Sequence, residues 1–251
     1  HFAHVRPSFP ALVIINGHSE NPLHLKSVLR GDDRKIAFLI CLAAKRVFER
    51  QFGVAVRAMA TLRLCLVPPM TAIEAGRLPL GVGAHFEYWG YRTEQLVELD
   101  WEEQIPYDSL IIHCLPARHF SGRGLTSNKT LWGSFLIESP SLTLYLGGDG
   151  GYGPHFKRIG RRFPKIDWAI LENGQYNEDW RFIHTMPEQL GQVVSDLNAR
   201  HVVTVHHSKY ALSRHLWDAP LKTARRLKEE VEACVCMPVI GEILSLDINQ
   251  P

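Results

Sequence analysis

The protein is a chain of 251 residues with a net charge of +2, of which 45% are apolar and 22% are charged. This composition is ordinary for a soluble globular protein, and the length fits one large domain or two small ones. The balanced charge gives no indication of a nucleic-acid partner, and no apolar run reaches the roughly 18 residues that a membrane span needs. The basic run Lys157–Arg162 is typical of a solvated helix face.

The cysteines indicate a reducing compartment. There are five of them, an odd number, at positions that match no disulfide framework: Cys41, Cys65, Cys114, Cys234 and Cys236. The last two form Cys-x-Cys, which is not the Cys-x-x-Cys of redox or zinc sites. We therefore expect a cytoplasmic protein. The chain does not begin with Met, so a removed targeting signal stays an alternative.

Hydrophobic patterning predicts an alternation of strands and helices that becomes clear after Pro79. Before it, Ala11–Asn16 is typical of a buried strand and Ile36–Phe52 of an amphipathic helix. Beyond it, short runs rich in β-branched and aromatic residues predict strands, and runs with apolar residues three or four apart predict helices. The predicted strands are Leu96–Leu99, Leu110–Leu115, Ser134–Glu138, Leu142–Gly148, Trp168–Leu171 and His201–His207, and the predicted helices are His155–Arg162, Pro187–Ala199 and Ala219–Ala233. Strands followed by helices argue for a layered α/β architecture.

Polar side chains follow three of the predicted strands. His119 comes after the strand at Leu110, Asp149 after the strand at Leu142, and His206 at the end of the run from His201. Strand ends on one edge of a sheet converge, and open α/β sheets bind ligands there. Two imidazoles and one carboxylate form an ordinary zinc set. His184, just before a predicted helix, is placed to reach the same edge.

Each of these residues also has a purely structural interpretation. His119 alone is more often a loop residue than a ligand. Asp149 lies in the run GGDGGYG and suits a turn or the cap of the next helix. His206, beside His207, suits a hydrogen-bonded core histidine. The metal hypothesis rests on the three occurring together at successive strand ends.

Several linked motifs resemble one known family. The motifs are LPLGVGAHFEYWGY, VELDW, CLPARHFSGRGL, NKTLWGSFLIES, LGGDGGYGPHFKRIG and VTVHHSKYAL, which together span roughly Pro79 to Pro220. They resemble the metallo-β-lactamase superfamily, in the branch of N-acyl-phosphatidylethanolamine-hydrolysing phospholipase D and related bacterial metal-dependent hydrolases. The resemblance implies an αβ/βα sandwich in a single domain over residues 1–251, with 1–78 divergent and 79–251 family-like.

The resemblance also implies site residues and chemistry. His119 resembles a histidine of the first metal site, Asp149 the aspartate that bridges two metals, and His206 the last histidine of the second site. His184 resembles a substrate-side histidine, which gives it and Asp149 catalytic roles. An intact member would hold two zinc ions and hydrolyse a phosphodiester or a lactone through a zinc-bound hydroxide. The expected partner is therefore a small-molecule or lipid substrate.

The family's His-x-His-x-Asp-His signature is absent from this chain. The nearest match is a strand-like run followed by His18, Glu20 and His24, with a different spacing and with Pro22 inside it. Either the N-terminal third has diverged, been replaced or been mistranslated, or these three residues form a degraded site. A metal-dependent hydrolase is the leading hypothesis, and a catalytically inactive member that binds a ligand or partner is the alternative.

Overall fold

The computed structural model describes residues 11–14, 73–88, 91–122, 127–208, 211–238, 244 and 246. The predicted helix at Ile36–Phe52 and the candidate residues His18, Glu20 and His24 lie outside these ranges. The prediction that residues 1–251 form one domain includes residues outside these ranges, so it stays a prediction.

The described chain consists mainly of strands that are followed by helices in its second half. The strands are β1 (Ala11–Ile14), β2 (Ile73–Pro79), β3 (Leu96–Leu99), β4 (Gln104–Tyr107), β5 (Leu110–Leu115), β6 (Ser134–Glu138), β7 (Thr143–Leu146), β8 (Ile166–Glu172), β9 (Ala199–Val205) and β10 (Cys234–Cys236). The helices are α1 (Gly83–Tyr88), α2 (His155–Arg162), α3 (Leu190–Leu197) and α4 (Ala219–Glu230), and two single 3₁₀ turns cover Thr93–Gln95 and Glu178–Trp180.

Two sheets contain these strands. A three-stranded sheet has the order β1-β2-β3, and a seven-stranded sheet has the order β10-β9-β8-β7-β6-β5-β4. From β7 to β10 the neighbours are parallel. From β4 to β7 they are antiparallel. The parallel strands are joined by crossovers that contain α2, α3 and α4, as parallel pairing requires.

The large sheet is covered on both faces, so its central strands alternate between two cores. On one face Tyr145 and Ala169 pack against residues of α2, α3 and α4. On the other face Leu144, Trp168 and Ile170 pack with Val97 and Leu99 of β3. Because successive strand side chains point to opposite faces, strands buried on both sides are nearly all apolar. This explains the continuous apolar runs that predicted β8 and β9, and the predicted α/β sandwich is confirmed.

The observed bounds differ from the predicted ones at element ends. α3 begins at Leu190 and not at Pro187, because residues 187–189 form a turn in which the Gln189 N–H donates to the Met186 carbonyl at 2.9 Å. β9 ends at Val205, one residue before His206. Among the described residues, no helix has both the length and the apolar character to cross a membrane.

Candidate metal centre

The direction of the strands brings four loops to one edge of the large sheet. β8 and β9 run parallel to β7. β5 runs in the same direction, because two antiparallel steps through β6 separate it from β7. The carboxyl ends of β5, β7, β8 and β9 therefore lie at the same edge, where ligands of open α/β sheets bind. The segments that follow these strands carry His119, Asp149, His184 and His206.

Asp149 and His206 face each other at this edge. Asp149 follows β7 in a glycine-rich loop, and its Oδ1 lies 3.4 Å from Nδ1 of His206. His206 follows β9 directly and has a φ of 69°, in the left-handed region that few residues other than glycine, asparagine and aspartate adopt. The imidazole therefore lies just beyond the end of the strand. Both side chains are partly shielded from solvent.

Two glycines allow the loops of this edge to approach closely. A Cβ on Gly174, just after β8, would collide with the carbonyl oxygen of His206. A Cβ on Gly151 would collide with the backbone of Phe182, two residues before His184. Only glycine fits at such contacts. The loops that carry Asp149, His184 and His206 are therefore packed backbone to backbone.

His184 is held by a buried carboxylate. Its Nδ1 lies 2.7 Å from Oε2 of Glu172, the last residue of β8, and both side chains are less than a tenth exposed. Oε1 of Glu172 accepts a hydrogen bond from the backbone N–H of Thr185. The ring of His184 stacks on that of His206, with centroids 5.5 Å apart. His184 thus lies between the end of β8 and the Asp149–His206 pair.

His119 completes the group from the side of β5. Its Nδ1 donates a hydrogen bond to the carbonyl of Phe120 at 2.7 Å, which directs the opposite nitrogen, Nε2, to act as an acceptor or a metal ligand. Its ring lies edge-on to that of His184, with centroids 5.6 Å apart. The structure therefore brings together all four residues that were selected from the sequence.

Burial governs the charge state of the site. It lowers the pKa of His119 and of His184 below the ordinary histidine value, although the nearby Asp149 opposes the change in both. Burial and then the charge of Asp149 raise the pKa of Glu172. Burial thus favours the neutral form of His119 and His184, and a neutral imidazole is the form that binds metal.

The donor set suits a transition-metal ion. Donor atoms of Glu172, His184 and His206 all lie within 4.8 Å of one another. Imidazole nitrogens together with a carboxylate oxygen are the ligands of catalytic zinc. The roles of His119, Asp149 and His206 as ligands, and of His184 and Asp149 in catalysis, stay predictions.

Sequence reasoning missed Glu172. The predicted strand Trp168–Leu171 stops one residue before it, because the apolar run ends there. A signal was present, since a carboxylate directly after a strand buried on both faces cannot reach solvent easily and requires partners. The strand β8 continues through Glu172, which is 4% exposed.

Comparison with known proteins gives the family. The model for the beta-lactamase superfamily domain matches residues 58–207, more than half of the chain. The chain belongs to the metallo-β-lactamase superfamily. Its relatives place it in the branch of this superfamily that contains N-acyl-phosphatidylethanolamine-hydrolysing phospholipase D, as the motifs predicted.

Two curated relatives and one solved structure illustrate this position. The outer membrane protein RomA of Klebsiella pneumoniae is 57% identical over 99 residues, which are 39% of this chain and 75% of RomA. The mitochondrial N-acyl-phosphatidylethanolamine-hydrolyzing phospholipase D of Saccharomyces cerevisiae is 34% identical over 167 residues, 61% of this chain and 36% of that protein. The metallo hydrolase Igni18 of Ignicoccus hospitalis shares the fold, with a TM-score of 0.55 at 18% identity over 74% of this chain and 71% of that one. The superfamily homologues of this chain include metal-dependent hydrolases.

Proposed function

We propose that the protein is a zinc-dependent hydrolase that acts on a phosphodiester. The observation that carries this proposal is the convergence of His119, Asp149, His184 and His206 at one edge of the sheet, with Asp149 3.4 Å from His206. Loops that follow different strands meet there through backbone contacts that only glycine allows. A lactone is the second candidate substrate, because both bond types are hydrolysed by attack of an activated water.

His119, Asp149 and His206 would hold the zinc, as two ions if the N-terminal third supplies further ligands. Bound zinc would lower the pKa of a water molecule to about 7 and polarise the scissile bond. Asp149, which touches His206, would orient the nucleophile. His184 would face the substrate with Nε2, since Nδ1 is engaged by Glu172, and its neutral ring would accept a proton there.

A phosphodiester is favoured over a lactone by the charge beside the site. Arg118 is exposed, directly precedes His119, and holds its guanidinium 4.3 Å above the ring of Phe182. Its Nη1 also donates to the carbonyl of Tyr152 at 2.9 Å. A cation fixed at this position attracts an anionic phosphoryl group and gives a neutral lactone no advantage. The name of the yeast relative, an N-acyl-phosphatidylethanolamine-hydrolyzing phospholipase D, agrees with this choice.

Metal content tests the zinc site. We expect zinc in protein purified without chelator, and loss of most of it in Asp149→Asn and in His206→Asn. Asparagine tolerates the left-handed backbone of residue 206, so the second variant removes the imidazole without adding strain. Asp167→Asn is the matched control: Asp167 is a partly buried carboxylate at the start of β8 that accepts the Thr143 N–H, and its loss should leave zinc unchanged.

The result also separates an enzyme from the catalytically inactive alternative. A folded wild-type protein that takes up no zinc when it is supplied would support a binding module and contradict the proposal. Zinc that persists in both Asp149→Asn and His206→Asn would show that other residues hold it.

Substrate preference is tested with a matched pair of substrates. Wild-type protein should hydrolyse bis(p-nitrophenyl) phosphate faster than a neutral γ-lactone. Arg118→Gln should raise KM for the phosphodiester by roughly tenfold, the loss expected for one charge-assisted contact, and leave the lactone reaction unchanged. An equal effect on both substrates would show that Arg118 has no part in selecting the anion.

The missing signature is tested at His18 and His24. If they supply the ligands that the rest of the chain lacks, the double variant His18→Ala/His24→Ala should lose metal, since each lost ligand weakens a site severely. Unchanged zinc stoichiometry would show that this segment has no part in the site and that the residues at the sheet edge are sufficient.

A further inference from the structure

Glu172 connects three segments of the site that are distant in sequence. It is the last residue of β8, and it is 4% exposed. Oε2 faces Nδ1 of His184 at 2.7 Å, and Oε1 accepts the backbone N–H of Thr185. The backbone N–H of Gly150, the residue after Asp149, donates to the same carboxylate. The hydroxyl of Thr185 in turn donates to the Gly150 carbonyl at 2.7 Å.

The geometry allows two different roles for this carboxylate. Because its donor atoms lie near those of His184 and His206, Glu172 could be a metal ligand. It could instead be a carboxylate that orients a histidine without touching metal or substrate, as carboxylates beside catalytic and ligating histidines do.

The hydrogen bonds decide between these roles. Oε1 accepts the Thr185 N–H, the carboxylate also accepts the Gly150 N–H, and Oε2 lies 2.7 Å from Nδ1 of His184. A metal ion bound at Glu172 would compete with these donors, and a buried N–H group of Thr185 or Gly150 that is left without an acceptor is costly. The donors therefore favour orientation over ligation.

We propose that Glu172 is a positioning residue that accepts the Nδ1–H of His184 and presents Nε2 to the site. The same carboxylate fixes the backbone beside Asp149 through Gly150. This inference rests on the proposed function only in assigning His184 a task on the substrate; the tautomer itself depends on neither metal nor activity. The opposite arrangement, with a proton on Oε2 and on Nε2 of His184, is the outcome that would overturn it.

The tautomer can be measured directly in the 251-residue chain without metal. Nitrogen-15 NMR of histidine-labelled protein at pH 8 distinguishes a protonated ring nitrogen from one with a lone pair, and the signals of His184 are assigned by their loss in His184→Asn. We expect protonated Nδ1 and unprotonated Nε2 in the wild type. A wild-type His184 with its proton on Nε2 overturns the proposal without any variant having to fold.

Glu172→Gln gives a sharper test, because the amide has only one acceptor oxygen. The buried N–H of Thr185 requires that oxygen, so the amide NH₂ faces His184 and donates to Nδ1. The His184 proton should then move to Nε2. Glu138→Gln is the matched control, since Glu138 lies 2.6 Å from Nε2 of His113 away from the site, and it should leave the His184 signals unchanged.

Kinetics and metal content separate the possible failures. Glu172→Gln should lower kcat on the order of 10²-fold with little change in KM, because Nε2 can no longer accept a proton. Its zinc content should equal that of the wild type. Loss of zinc in this variant would make Glu172 a ligand and overturn the proposal. A wild type without zinc or hydrolysis would refute the proposed function, whereas the tautomer measurement would still decide the role of Glu172.

Discussion

The two halves of the seven-stranded sheet are connected in different ways. In the antiparallel half, β4 and β5 are joined by the two-residue turn Asp108–Ser109, and β6 and β7 by a short turn in which the Ser139 hydroxyl donates to the Leu142 carbonyl at 3.0 Å. In the parallel half, helical crossovers return the chain to the starting edge before each new strand. The carboxyl ends of all strands of the parallel half therefore lie at the same edge as that of β5, and there the candidate site lies.

Two histidine–carboxylate pairs show what this difference means. In the antiparallel half, His113 lies 2.6 Å from Glu138, whose side chain is 41% exposed. At the functional edge, His184 lies 2.7 Å from Glu172, whose side chain is 4% exposed and is held by further backbone donors. The same pair of residue types thus serves different purposes. Burial and the convergence of loops, rather than the pair itself, indicate a functional role.

The comparison predicts that damage to the core of β6, which no site residue follows, lowers stability without affecting the site. Phe135 of β6 is fully buried, and Phe135→Ala should lower the free energy of unfolding by about 3–5 kcal/mol. Ile111→Ala in β5, where the side chain is 40% exposed, should cost less than about 1 kcal/mol. Denaturant unfolding measures both. Loss of zinc from Phe135→Ala protein that is still folded would break the comparison.

A buried histidine near the functional edge should make stability depend on pH. Burial, followed by the charges of Arg158 and Arg118, lowers the pKa of His155 to about 4. The unfolded state then binds more protons, so stability is fully present above pH 6.5 and is lost as pH falls towards 4. A pKa shift from 6.5 to about 4 changes the free energy of unfolding by at most about 3 kcal/mol. His155→Gln should flatten this dependence in unfolding experiments at pH 4–7.

The control for this prediction is His85→Gln, which changes an exposed histidine of α1. It should keep the wild-type slope of stability against pH. An unchanged slope in His155→Gln would assign the acid sensitivity to other groups.

Replacing a glycine by alanine should change stability in opposite directions at the functional edge and in α3. Gly174→Ala forces a Cβ against the carbonyl oxygen of His206 and should cost about 1–3 kcal/mol. In α3, a Cβ on Gly191 meets no atom closer than 3.8 Å, so Gly191→Ala should stabilise by about 0.5–1 kcal/mol. Thermal unfolding compares them. Equal effects would show that the loop after β8 has room to move.

The smallest effect is expected at the His113–Glu138 pair. Because Glu138 is well exposed, solvent screens its interaction with His113, and Glu138→Gln should change stability by less than about 1 kcal/mol. Zinc content should not change. A loss as large as that of Phe135→Ala would show that this pair is a structural centre comparable to Glu172.

The sequence predicted the strands of the large sheet better than the surroundings of the site. Trp168–Leu171 and Leu110–Leu115 were recognisable because strands buried on both faces are continuously apolar. The strands β2, β4 and β10 were not predicted: β4 alternates between exposed and half-buried residues and contains Pro106, and β10 has only three residues. The hydrophobic pattern of such short or mixed runs does not differ from that of loops.

The sequence selected four of the residues that converge at the candidate site, but it did not predict their arrangement or Glu172. His119, Asp149 and His206 follow strands, so their convergence follows from strand order and direction. Glu172 could not be assigned a role, because its partners are a histidine side chain and the backbone N–H groups of Thr185 and Gly150. Backbone donors have no signature in the residue types. The apolar strand before Glu172 indicates that the acid is buried, but its role is recognised only when the fold shows which groups surround it.

Pro106 has a consequence for how copies of this molecule can meet. It lies in β4, which pairs with β5 on one side and forms one edge of the seven-stranded sheet among the described residues. The ring nitrogen of Pro106 carries no hydrogen, so it interrupts the ladder of hydrogen bonds that an incoming strand would need. The covalent structure of a single residue thus obstructs fibre-like growth by edge-to-edge addition at this margin. Neither a charged side chain nor a covering segment is needed for this effect.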